Sequence, residues 1–182
     1  MMIFFETALS WLNKFTETDS TSSSFNQRLV NQLETAYQDQ DFEKMRLFTD
    51  LLVNVSKKME PGSSKRAEIS IILSWYEFNL LNFENAANLL REGIQQYYPG
   101  HEHNLGVAQW LLGCVFWEIP KKQKTAIFAW QRSIDIFRPL SDTYDSGEAA
   151  WYVQVTQQME NALLAAIEII EISKSPTLAK NS

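Results

Sequence analysis

Apolar residues recur along most of this chain at intervals of three and four, the spacing that puts them on one face of an α-helix. Short polar breaks divide the pattern into helix-length runs. Ile3, Phe4, Ala8, Trp11, Leu12 and Phe15 predict a short amphipathic helix over residues 2–15. A Ser/Thr-rich stretch, Thr16 to Ser24, reads as a linker. Further helices are predicted at about 25–39, 42–58, 65–80, 83–98, 103–118 and 121–138. The breaks between them fall near Gln40, at Pro61-Gly62, near Leu81, at Pro99-Gly100, at Pro120 and at Pro139. A final helix runs to Ile172 with a stripe of Trp151, Val155, Met159, Leu163, Ala166, Ile167 and Ile170, and Lys174 to Ser182 reads as a frayed tail. Ser64 and Asn82 are N-cap candidates, and Asp145-Ser146-Gly147-Glu148 has a capping-box arrangement.

Two of these runs are apolar nearly all round. One carries Ile69, Ile71, Ile72, Leu73, Trp75, Tyr76 and Phe78; the other carries Val107, Trp110, Leu111, Cys114, Phe116 and Trp117. Such helices need neighbours on more than one side. The breaks themselves repeat. Tyr37…Asp41-Phe42-Glu43…Met45 is followed by Phe78…Asn82-Phe83-Glu84…Ala86, and a divergent third copy runs from Leu112-Gly113 through Pro120 to Ala126 and Trp130. The copies lie about 40 residues apart, a period typical of helical repeat arrays.

These positions resemble the tetratricopeptide repeat. The third copy supplies Leu112-Gly113, Phe116, Ala126, Trp130, Ser133 and Pro139; the second supplies Leu73-Ser74, Phe83, Ala86, Leu90, Gly93 and Pro99. The stretch from Ser133 through Gly147-Glu148-Ala149-Ala150 looks like the longer-period repeats of bacterial signalling proteins. The resemblance implies an all-α, right-handed array of antiparallel helix pairs, a TPR-like α-solenoid. Three pairs would span 25–140, between an N-terminal region at 1–24 and a C-terminal helix and tail at 141–182. It also implies a concave face lined by Trp75, Phe78, Trp110, Cys114 and Trp117, suited to an apolar peptide or helix of another protein. Those aromatics could equally be core, covered by the N-terminal or the final helix. The carboxylate clamp of some family members is not expected, because Glu68, Ile71 and Trp75 stand where Lys, Asn and Arg would be needed.

Composition narrows the function classes. The net charge is -6, which argues against a nucleic-acid partner. No apolar run reaches the roughly 18 residues of a membrane span. A single cysteine, Cys114, excludes an internal disulfide and fits a reducing, cytoplasmic setting. His101-Glu102-His103 lacks a third ligand at motif spacing and reads as a solvated helix entry, so no metal or other cofactor is expected. No Gly-rich phosphate loop, nucleophile elbow or carboxylate pair is visible. The expected function is therefore non-enzymatic, an adaptor or regulator that binds another protein. The alternative is a structural subunit that self-associates through its apolar terminal helices, since the last helix lacks the polar outer face of a terminal repeat.

Overall fold

The structure is a computed structural model that describes residues 24–60, 62–97, 101–142 and 146–174. The expected N-terminal helix at 2–15, most of the linker, Asp145 of the capping box and the tail beyond Lys174 lie outside the described residues. Within them the fold is all-helical and has no strand. The helices are α1 (Ser24–Gln38), α2 (Phe42–Lys58), α3 (Ser64–Asn79), α4 (Phe83–Ile94), α5 (Glu102–Glu118), α6 (Gln123–Phe137) and α7 (Ser146–Lys174). A 3-10 turn at Arg138–Asp142 extends α6. Each helix packs against the next in sequence, and α3 also touches α5.

The turns explain the pairing. Between α1 and α2, the amides of Asp39, Gln40 and Asp41 donate to the carbonyls of Thr35, Tyr37 and Ala36. Between α3 and α4, the amides of Leu80, Leu81 and Asn82 donate to those of Tyr76, Phe78 and Glu77. The two turns thus match bond for bond, and both satisfy carbonyls orphaned at a helix end. Gln40, Leu81 and Lys121 all have positive φ, at 56°, 61° and 66°. None is glycine, so each turn holds a conformation that costs about 1 kcal/mol or more. In the third turn Pro120 stands where Asp39 and Leu80 donate, and it has no N–H. There the Gln123 side-chain amide reaches back to the carbonyls of Trp117 and Ile119, at 3.3 and 3.5 Å.

Two capping expectations are corrected. Ser63 rather than Ser64 caps α3, its hydroxyl accepting from the Arg66 amide at 3.3 Å. Asn82 makes no side-chain cap bond; its amide donates to Glu77 Oε2 at 2.9 Å. Asp41 does cap α2, accepting from the Lys44 amide at 3.1 Å. Phe42, at the position of the half-buried Phe83, is 58% exposed.

The core runs down the seams between paired helices. Met45, Ala86 and Ala126 stand at equivalent places in α2, α4 and α6, and all three are fully buried. One turn on come Thr49, Leu90 and Trp130; the next turn brings Leu52, Gly93 and Ser133. Gly93 rests on the carbonyl of Ala67, and any side chain there would press on that oxygen. Ser133 donates its hydroxyl to the carbonyl of Gly106 at 2.7 Å. The second helix of each pair therefore meets the first in the same register.

Candidate functional site

The five residues expected to line a concave face are mostly inside the fold. Trp75, Phe78, Trp110 and Cys114 are buried, and Trp117 is half-buried. Trp75 lies against Tyr37 of α1 with ring centroids 4.6 Å apart, and against its neighbour Tyr76 at 4.5 Å. Phe78 meets Phe83 across the α3–α4 turn at 5.4 Å. Trp110 and Trp117, two turns apart on α5, both pack on Trp130 of α6, at 5.5 and 5.4 Å. Trp130 also donates its indole N–H to the Trp110 carbonyl at 3.1 Å. Gly113 makes this arrangement possible, because a Cβ there would overlap the Trp130 ring. Cys114 is 1% exposed, and burial pushes its thiol up to about 12, which keeps it protonated and unreactive at neutral pH.

His103 departs from the expected solvated helix entry. It is buried, its Nδ1 lies 2.9 Å from the Tyr152 hydroxyl, and its ring stacks on Phe137 at 5.6 Å. Trp151 lies 5.6 Å away on another side. Sequence spacing could not pair His103 with a residue 49 positions on, so α7 was needed to reveal this joint. Among the described residues no cluster of three His, Cys, Asp or Glu side chains could hold a metal ion.

Apolar side chains that do meet solvent lie elsewhere: Phe42, Leu47 and Leu51 on α2, Leu81 in the α3–α4 turn, and others on α6 and α7. Phe128 of α6 is 74% exposed and Leu164 of α7 is 65% exposed, with Ile169 and Ile172 more than half exposed beyond it. A cleft of about 200 Å³ opens between the two helices, lined by Lys124, Ile127, Phe128, Ile167, Ile170 and Glu171. α7 explains the location. Tyr152, Val155, Met159, Leu163 and Ala166 face inward and are buried. The outward positions of its first half are Gln154, Gln157, Gln158 and Asn161 with Val153 among them, and those of its last turns mix Leu164, Ile169 and Ile172 with Glu168 and Glu171. Phe128 had a signal in sequence: it sits two residues from both Ala126 and Trp130, so it falls on the opposite face of α6 from the core stripe.

A second depression, of about 360 Å³, lies between the α3–α4 and α5–α6 turns and is lined mainly by Leu81, Phe83, Ile119 and Pro120. No helix among the described residues is long and apolar enough to cross a membrane. No protein-family model matches this chain, nor does any curated protein or solved structure.

Proposed function

We propose that this chain is a TPR-like, right-handed α-solenoid that works as a non-enzymatic adaptor or regulator. It binds an apolar segment, preferably an amphipathic helix, of another protein. The repeated turn bonding and the common register of helix pairs support the solenoid reading. The observation that carries the binding reading is the α6–α7 cleft with its apolar lining of Ile127, Phe128, Ile167 and Ile170, of which Phe128 is 74% exposed. Exposed apolar side chains clustered this way are characteristic of interaction surfaces. Lys124 and Glu171 at the cleft rim supply charges of both signs, which would fix the direction of a bound helix.

The test compares the full chain with Phe128→Asp. Proteins retained by the wild type from its native cell are identified, and their affinity for the variant is measured. Loss of at least about tenfold in affinity, with an unchanged melting temperature, is expected for an exposed anchor. Equal affinity would move the binding surface elsewhere. A second reading rests on the last turns of α7, where Leu164, Ile169 and Ile172 are each more than half exposed. That end could pair with a second copy, making the chain a structural subunit. Light scattering of the purified chain separates the two: a dimer that Leu164→Asp dissociates favours self-association.

A further inference from the structure

The second helices of the pairs share a register but not an outer face. Met45 and Ala86 stand at equivalent places, so Leu47 and Leu51 of α2 correspond to Asn88 and Glu92 of α4. All four are exposed, Leu47 at 56% and Leu51 at 40%. The fold is thus satisfied by polar residues at both places, yet α2 carries leucines there. Leu47 and Leu51 lie one turn apart on one side of the helix. An exposed apolar pair that the packing does not require marks a contact surface.

Charge identifies what fits it. Lys44 and Lys58 are exposed, and each stands seven residues from Leu51, so both share its face, two turns to either side. The stripe is apolar with a cation at each end. The last turns of α7 are its counterpart. Leu164, Glu168 and Ile172 follow at intervals of four, and Glu171 stands seven residues from Leu164. All four are exposed, Leu164 at 65% and Ile172 at 52%. That face is apolar with two carboxylates. Four helices separate α2 from α7 in the packing order, so the two faces of one copy do not meet.

We infer that a second copy of this chain is the occupant: the Leu47–Leu51 face of α2 packs on the Leu164–Ile172 face of α7 in the next copy. With Leu51 set against Leu164, a lysine falls opposite Glu171 whichever way the helices run. Lys44 is already held by Asp41 at 2.6 Å, so Lys58 is the partner of Glu171 and the two helices run parallel. The contact joins unlike surfaces, so it passes from copy to copy instead of closing as a symmetric pair. The inference deepens the self-association reading above, which rests on the same α7 residues, and leaves the Phe128 side of the cleft to a different partner.

Sedimentation equilibrium of the full chain from about 10 μM to 1 mM is the test. Average mass should rise with concentration past that of two chains. Leu47→Asp/Leu51→Asp disables one face and Leu164→Asp/Ile172→Asp the other. Each variant alone should stay monomeric, with an unchanged circular dichroism spectrum because all four side chains are exposed. Their equimolar mixture should form a dimer and nothing larger, since each supplies the face that the other lacks. A wild type that stays monomeric overturns the inference and leaves the α2 leucines to another protein. A dimer that survives the α2 changes and is lost with the α7 changes also overturns it, in favour of symmetric α7 pairing. If a double variant loses helicity, charge reversal at the exposed end of α2 decides. Lys58→Glu should weaken association by about threefold or more, and adding Glu171→Lys should restore it. Weakening without restoration, or no weakening, overturns the assigned pairing.

Discussion

The α1–α2 pair and the α5–α6 pair share a register and fill it in opposite ways. In α5–α6 the first helix is pared down to Gly106 and Gly113, and Phe137 and Trp130 of the second helix occupy the space released. At that seam Trp130 donates to the Trp110 carbonyl and Ser133 to that of Gly106, while the indole N–H of Trp110 is buried without a partner. In α1–α2 the seam is ordinary aliphatic packing by Leu33, Met45 and Leu52. It also contains Thr49, whose hydroxyl is buried without a hydrogen-bond partner. One backbone register therefore tolerates two packing solutions, provided that a large residue on one helix faces a small one on the other. The aromatic solution is the more exacting, because its glycines cannot be enlarged.

Trp130→Ala should break the contrast most severely. It removes the ring that Trp110 and Trp117 share, together with the indole bond to the Trp110 carbonyl. A loss of about 3–5 kcal/mol in urea unfolding is expected for a core tryptophan. Leu52→Ala, the probe of the aliphatic seam, should cost about 2–4 kcal/mol. Gly113→Ala adds a single carbon, yet should cost about 1–3 kcal/mol because the Trp130 ring must shift. Thr49→Val should go the other way, stabilising by up to about 1 kcal/mol by removing an unpaired buried hydroxyl. If Thr49→Val destabilises instead, the α1–α2 seam is wetter or looser than its burial indicates.

The smallest expected effect sharpens the comparison between turns. Asp41 caps α2 and pairs with Lys44 at 2.6 Å, whereas Asn82 leaves α4 uncapped by its side chain. The hydrogen bonds from Lys44 hold the Asp41 carboxyl below its ordinary value. A lowered folded-state value means that the carboxylate stabilises above the carboxylate range, and that this contribution fades as pH falls through it. Asp41→Ala should therefore lower the melting temperature slightly at pH 7 and make little difference near pH 3. Asn82→Ala should show no such pH dependence at the cap.

Local pattern determined most of the architecture. Three- and four-residue spacing gave helices, and proline, glycine and the aromatic-acidic steps marked their ends within a few residues, because these signals act through neighbouring backbone groups. The boundaries at Gln40, Leu81 and Pro120 were legible for that reason. So was the inward stripe of α7, apart from Tyr152. Tertiary packing decided the fate of the aromatics. Trp75, Phe78, Trp110, Cys114 and Trp117 read equally well as groove or core, since an apolar side chain carries no mark of what lies over it. Only the neighbouring helices could turn Trp110 and Trp117 onto Trp130, seat His103 against Tyr152, and leave Phe128 in solvent beside Leu164. Periodicity tells which residues share a face; which face is covered depends on contacts between residues tens of positions apart, and those exist only once the chain has folded.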